Sequence, residues 1–169
     1  MEVNFLAIVV SALIPTAMGF IWYHKKVFGD TWATAAGMTE EKINSGNMPL
    51  IFGLSLLFSL ILSFSMNMHA VHDAQVQGAM YYATDGTMEP EPGSELAQWY
   101  DYFQTNLAPA NHVFSHGVVH GLFIGLLIVL PVFVINGLFE RKGWKYILIN
   151  SGYWTICLAI MCGILAAWR

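Results

Sequence analysis

The sequence predicts an all-α integral membrane protein, a bundle of four transmembrane helices arranged as two hairpins with both termini on the outer face. Three observations lead to this prediction. The 169 residues are 56% hydrophobic and 11% charged, whereas soluble domains carry about 25% charged residues. The charges form short islands between long uncharged stretches. Lysine and arginine are concentrated in some loops and absent from another.

The uncharged stretches define the predicted helices, which cover residues 3–22, 48–68, 113–139 and 146–168. Each reaches the roughly 20 residues that a helix needs to cross a ~30 Å hydrocarbon layer. A helix also satisfies its own backbone hydrogen bonds, as surrounding lipid requires. We therefore predict a single transmembrane domain over residues 1–169, with an outer loop at 69–112 and inner loops at 24–47 and 140–145.

The basic residues predict the orientation. All lysines and arginines except Arg169 lie in the two inner loops. The loop 69–112 has none of them but carries six acidic residues, Asp73, Asp85, Glu89, Glu91, Glu95 and Asp101. Because lysine and arginine are enriched in cytoplasmic loops, the acidic loop and both termini are predicted to lie outside.

The outer loop is predicted to contain helical structure of its own. Ser94 follows a cluster of helix breakers and is expected to cap a short amphipathic helix over residues 95–107. This helix would lie on the outer membrane surface or over the mouth of the bundle. Residues 69–83, before the breakers, are expected to prolong the second transmembrane helix.

Small residues at every fourth position predict how the helices pack. They are Ser55, Ser59 and Ser63 on the second helix, Gly117, Gly121 and Gly125 on the third, and Ala159, Gly163 and Ala167 on the fourth. Such faces let membrane helices approach closely. Since the second and third helices are joined on the outer side, we expect their small-residue faces to meet. The alternative is that the serines line a polar path.

Histidines are the strongest chemical signal in the sequence. Five of the six lie at the outer ends of the second and third helices, with Asp73 beside them: His69, His72, His112, His116 and His120. Imidazoles three or four residues apart on a helix can chelate a transition metal, and a carboxylate can add a ligand. His112 and His120 are separated by about 12 Å of helix, too far for one ion.

The favoured single site therefore uses His69, His72, Asp73 and His116, completed by either His112 or His120. A two-metal site that uses all five histidines is the alternative. Imidazole ligands without thiolates suit zinc, iron or copper. Two other interpretations remain open, a pH-responsive or proton-conducting group and a purely structural polar network.

Several motifs resemble one protein family. They are Gly19-Phe20-Ile21-Trp22-Tyr23, Phe28-Gly29 and Trp32 near the start, and Asn136-Gly137-Leu138-Phe139-Glu140-Arg141-Lys142, Trp144–Asn150 and Gly152-Tyr153-Trp154 near the end. Together these motifs resemble a bacterial family known only as domain of unknown function 1761. The resemblance implies a small multi-pass protein of the bacterial inner (cytoplasmic) membrane, and it transfers no catalytic residue.

Three classes of function follow from these patterns. The first is a membrane protein that binds a transition metal, either a metal handler or a small metalloenzyme. The second is a non-catalytic accessory or structural subunit of a larger membrane complex, or a homo-oligomer. The third is a cation or proton transporter or channel, with the acidic loop attracting the ion. The lipid bilayer is the expected partner, and the lack of a basic patch speaks against nucleic acid.

Overall fold

A computed structural model describes residues 3–169, and this part of the chain is helical, with no strand. The α-helices are α1 (Phe5–Ala12), α2 (Ile14–Trp22), α3 (Asp30–Ala36), α4 (Glu40–Asn44), α5 (Met48–Asn67), α6 (Asp73–Ala83), α7 (Glu95–Tyr102), α8 (Ala108–Asn111), α9 (Phe114–Ile124), α10 (Leu130–Phe139) and α11 (Trp144–Ala167). Single π-helical turns cover Lys25–Gly29, Phe103–Leu107 and Gly125–Val129.

Four helical stretches are long and apolar enough to cross a membrane. We name them the first to fourth spans, and they cover Phe5–Trp22, Met48–Asn67, Phe114–Phe139 and Trp144–Ala167. Their ends lie within two residues of the predicted ends. The prediction of an all-helical chain with four helices of transmembrane length is therefore confirmed.

Prolines explain the irregular turns inside two of the spans. A proline lacks the N–H that would bond to the carbonyl four residues earlier, and its ring crowds that carbonyl. The first span breaks at Leu13, two residues before Pro15. The third span widens into the π-helical turn Gly125–Val129 just before Pro131.

The fourth span forms the core of the fold. In its most apolar stretch 67% of the residues are buried, against 11% in the second and third spans. It packs against the first and third spans, and its buried residues include Leu158, Cys162 and Ala166. The large apolar side chains of the second and third spans point mainly away from the protein, as expected for helices that face lipid.

The glycine face of the third span packs against the fourth span. A Cβ atom on Gly117 would overlap the backbone carbonyl of Cys162, and one on Gly121 would overlap the carbonyl of Leu158. A Cβ on Gly125 would meet the side chain of Thr155 at 2.6 Å. The prediction that the small-residue faces of the second and third helices meet is therefore wrong. Glycine permits this close approach, but its spacing does not say which helix makes it.

The second span packs instead against the first span. Ser63 is fully buried between them and donates a hydrogen bond of 2.8 Å to the carbonyl of Ile8. In an apolar surrounding this bond satisfies a hydroxyl that would otherwise have no partner. The serine face of the second span thus contributes to packing at this position.

The outer loop differs from its prediction in one important respect. The second span ends at Asn67, and a turn separates it from α6, so residues 69–83 do not prolong one continuous helix. The predicted helix in the second part of the loop is present: Ser94 caps α7 by accepting a hydrogen bond of 3.1 Å from the Ala97 N–H. Helical structure continues from there through α8.

Replacing Gly121 by leucine should destabilise the protein, because the side chain would push the third span away from the fourth. Inserting bulk into a packed interface costs about 1–3 kcal/mol or more. The melting temperature of the purified variant in detergent should fall. Gly53→Leu is the matched control, since nothing lies within 4 Å of a Cβ at Gly53. Equal melting temperatures for Gly121→Leu and the wild type would show that the glycine face does not carry the packing.

Candidate metal centre

Three histidines converge where the second and third spans end next to the acidic loop. Ring nitrogens of His72, His116 and His120 all lie within 4.8 Å of one another. The Nε2 atoms of His116 and His120 are 3.0 Å apart. The His72 ring centroid lies 5.1 Å from that of His116 and 4.9 Å from that of His120. Each histidine therefore presents a nitrogen to the same small space.

The fold holds His72 in place through the two residues before it. Ala70 and Val71 are 0% and 1% exposed. They belong to the same buried hydrophobic cluster as Cys162 and Ala166 of the fourth span. Since both neighbours are fixed inside the protein, His72 emerges from the core at a defined place, and its side chain is exposed.

Glycine packing sets the direction of the other two histidines. His116 and His120 are one helical turn apart in α9, and each is followed directly by a glycine of the close-packed face, Gly117 or Gly121. Consecutive residues are separated by about 100° around a helix. Once the glycines face the fourth span, both imidazoles point sideways, toward the turn that carries His72.

Asp73 and His112 form a separate pair beside this group. The His112 Nε2 atom lies 3.0 Å and 3.2 Å from the two carboxylate oxygens of Asp73. The Asp73 side chain is 10% exposed, and Arg169 also lies close enough to feel its charge. Burial lowers the pKa of the Arg169 guanidinium, and the Asp73 carboxylate opposes this shift. Asp73 thus interacts with the His112 ring and with the charge of Arg169.

His69 also lies outside the three-histidine group. Its side chain is exposed, while its backbone is within hydrogen-bonding reach of the His120 ring. The sequence predicts that the second helix continues through His69, His72 and Asp73, but a turn covers the first two residues and α6 begins at Asp73. Similarly, His112 precedes the third span and does not continue the stripe of histidines along it.

The geometry suits one transition-metal ion. Metal–nitrogen bonds of about 2.0–2.1 Å in a tetrahedral site place the ligand atoms roughly 3.4 Å apart. The 3.0 Å between the Nε2 atoms of His116 and His120 is close to this distance. His72 sits on an exposed turn, and its nitrogen lies within 4.8 Å of those of the other two histidines. Three imidazoles would leave a fourth position for water or another ligand.

A second polar cluster lies at the opposite ends of the spans. The Oδ1 atom of Asn150 accepts hydrogen bonds from the Tyr23 hydroxyl at 3.1 Å and from the Trp32 Nε1–H at 3.2 Å. Its Nδ2 group donates to the Tyr146 carbonyl at 2.7 Å. Burial raises the pKa of the Tyr23 hydroxyl, which therefore remains a donor at neutral pH. These bonds tie α3 and the end of the first span to the fourth span.

The sequence predicts that Asn136, Glu140 and Asn150 form hydrogen bonds across helices. The side chains of Asn136 and Glu140 make no hydrogen bond to the residues that the structure describes, whereas the prediction is confirmed for Asn150. Its aromatic partners were not predicted as a cluster, although Tyr23, Trp32 and Asn150 all belong to the motifs that suggested a family. The rings of Tyr23 and Trp32 are 5.1 Å apart between centroids. The signal in the sequence was therefore the motifs themselves, which are far apart along the chain and meet only in the fold.

These features define an all-helical protein with four helices of transmembrane length and a histidine cluster at one end of them. The chain belongs to the family described as "Protein of unknown function (DUF1761)", whose match covers residues 6–166. The family suggested by the sequence motifs is thereby confirmed. No curated protein and no solved structure matches the chain. The family description assigns no activity, so the function has to be inferred from the histidine cluster itself.

Replacing Asn150 by leucine should lower the stability, because the donors of Tyr23 and Trp32 would lose their acceptor. Both donors are partly buried, and an unsatisfied donor in a protein interior costs about 1–3 kcal/mol. The melting temperature in detergent should fall clearly. Asn136→Leu is the matched control, since Asn136 is exposed and its side chain makes no hydrogen bond to the described residues. If both variants melted like the wild type, the Asn150 cluster would not stabilise the fold.

Proposed function

We propose that this protein binds one transition-metal ion through His72, His116 and His120, at the end of the second and third spans. The convergence of three ring-nitrogen donors within 4.8 Å carries the proposal. Ionisable side chains at the ends of apolar helices are costly to place and are usually functional. Scattered histidines at a membrane interface require no shared ligand. Three imidazoles that face one point are better explained by a metal ion that all three bind.

The donor set suits zinc, iron or copper. Imidazole suits all three ions, and no thiolate takes part, because Cys157 and Cys162 are buried in the fourth span. Three protein ligands leave a coordination position open, which is typical of sites that exchange or activate a ligand. This arrangement supports a metal handler or a metalloenzyme more than a closed structural site.

We also propose that the site faces the outer side of a cytoplasmic membrane, as the positive-inside rule predicts from the basic loops. The neighbouring loop then presents its acidic residues to incoming cations and raises their local concentration. Access through the exposed side chain of His72 fits this direction of entry.

The sequence also predicts two alternative functions, an accessory subunit of a membrane complex and a cation or proton transporter, and each has its own structural requirement. An accessory subunit would bind its partner through the exposed apolar faces of the second and third spans. Lipid covers the same faces equally well, so their exposure does not favour this function. A transporter would need a path from the histidines to the opposite side. Metal content tests the metal-binding proposal independently of both.

Metal binding should depend on three histidines and no others. Protein purified with a histidine-free tag is dialysed against zinc, copper or iron(II), desalted and measured by elemental mass spectrometry. The wild type should retain one ion per chain. His116→Ala should lose it, because His116 pairs with His120 and lies next to His72. His72→Ala and His120→Ala should each weaken retention strongly.

Three substitutions serve as controls in that experiment. Asp73→Asn and His69→Ala should keep the ion, because neither side chain belongs to the three-histidine group. His24→Ala should keep it too, since His24 is exposed at the opposite ends of the spans, where it accepts a hydrogen bond from the Lys26 N–H. Wild-type protein that retains none of the three metals would contradict the proposal. Loss of the ion in Asp73→Asn alone would transfer the site to the Asp73–His112 pair.

The orientation is tested with single cysteines and a membrane-impermeant thiol reagent on intact cells. Glu91→Cys in the acidic loop should be labelled, and Thr34→Cys in the first basic loop should be labelled only after the cells are opened. Both positions are exposed. The native Cys157 and Cys162 are 0% exposed and should give no background. The reverse labelling pattern would overturn the orientation.

A further inference from the structure

A cavity of about 710 Å³ lies between the first, second and fourth spans, in the half of the protein next to the basic loops. It is separate from the histidine cluster at the other ends of the spans. Its walls are mostly apolar, and its rim carries Phe20, Phe52 and Phe58, all of which are exposed. In a membrane these rings face the lipid, so a ligand would enter from the hydrocarbon phase. Its volume falls in the range of pockets that hold small organic ligands.

Three hydroxyl groups line this cavity without a hydrogen-bond partner. They belong to Thr16, Ser55 and Ser59, and none of them bonds to any residue between 3 and 169. Hydroxyls in apolar helices usually bond back to the carbonyl one turn earlier. Ser151 and Thr155 of the fourth span do so at 2.8 Å. The three cavity hydroxyls do not.

Ser59 is the most buried of the three hydroxyl residues. It is only 5% exposed, yet it lines the cavity and its hydroxyl has no hydrogen-bond partner within the described chain. In the apolar surroundings of this cavity, a hydroxyl without a hydrogen bond is unfavourable. The neighbouring Ser63, one turn along the same helix, has its partner in the Ile8 carbonyl. An occupant that accepts a hydrogen bond would remove the cost at Ser59.

Aromatic groups close the cavity on the fourth-span side. Tyr153 and Trp154 both contribute to the wall. The Tyr153 hydroxyl already donates a hydrogen bond of 2.6 Å to the Pro15 carbonyl, so it offers the cavity only its oxygen lone pairs. Phe20 and Phe52 stack with their centroids 5.8 Å apart at the rim. The walls therefore suit a flat apolar ring, and the two serines and the threonine offer it free hydroxyl donors.

We infer that this cavity binds a lipid-soluble ring compound that carries carbonyl oxygens, such as a quinone. The ring would pack against the aromatic walls, and its carbonyl oxygens would accept hydrogen bonds from Thr16, Ser55 or Ser59. A plain acyl chain of a phospholipid fills such a space equally well but leaves all three hydroxyls unsatisfied. The hydroxyls thus favour the carbonyl compound over the chain.

Saturable photolabelling in lipid nanodiscs tests this inference. The probe is a decyl-substituted benzoquinone that carries an aryl azide, competed by the same quinone without the azide, and adducts are mapped by mass spectrometry. Wild-type protein should show competed labelling at the cavity. Gly19→Leu should abolish it, because a Cβ at Gly19 meets only the Tyr153 hydroxyl, at 3.7 Å, and the longer side chain would fill the cavity.

The hydroxyls are tested by the triple variant Thr16→Val, Ser55→Ala and Ser59→Ala. Without these hydroxyls, the quinone concentration needed for half-saturation should rise about tenfold, since one or two hydrogen bonds contribute roughly that factor in affinity. Ser65→Ala and Gly53→Leu are the controls, because both residues lie on the second span outside the cavity lining. Both controls should bind like the wild type. Ser59→Phe fills the cavity from its other wall if Gly19→Leu does not fold.

Two results would overturn the inference in different ways. Competed labelling that persists in the folded Gly19→Leu and Ser59→Phe variants would show that the cavity is not the binding site. Labelling that is lost in the filled variants but unchanged in the triple variant would show that the site takes an apolar chain and does not recognise carbonyl oxygens.

Discussion

The close approach of the third span to the fourth span is the contact on which the rest of this structure depends. Gly117 and Gly121 lie directly against backbone atoms of the fourth span, at Cys162 and Leu158. A larger residue at either glycine would separate the helices and let the third span rotate. Since apolar helices in lipid gain little from hydrophobic burial against each other, such tight contacts carry much of the specificity.

This contact also creates the histidine cluster. Cys162 and Ala166 of the fourth span lie next to Gly117, and they share a buried cluster with Ala70 and Val71 of the turn before α6. The fourth span is therefore a common platform for two segments that are otherwise separated by the long acidic loop. One segment brings His116 and His120 and the other brings His72, so the site requires the core to be assembled.

Polar groups are hydrogen-bonded to each other at one end of the protein and accessible at the other. At the end next to the basic loops, the side-chain amide of Asn150 has partners for both its oxygen and its nitrogen, and the surrounding tyrosine and tryptophan rings pack against each other. At the other end, the imidazoles converge but are still accessible. A satisfied network is suited to holding helices together, whereas an accessible group of donors is suited to binding.

Local patterns in the sequence predicted the helices well and their partners poorly. Span length and the Ser94 cap depend on neighbouring residues, so they can be read directly from the chain. The helix that packs against the glycine face could not be predicted in this way, because small residues recur on the second and fourth spans alike. The turn before Asp73 was missed because no glycine or proline marks it. It forms because Ala70 and Val71 are buried against the fourth span, which is a long-range effect.

X-ray absorption spectroscopy of the zinc-loaded protein tests the three-histidine site directly, because it reports the ligand atoms around the ion. The three-histidine site should give three nitrogen ligands at about 2.0–2.1 Å with the multiple-scattering pattern of imidazole, and one oxygen ligand such as water. A coordination shell with fewer than three imidazoles, or one that contains sulfur at about 2.3 Å, would contradict it.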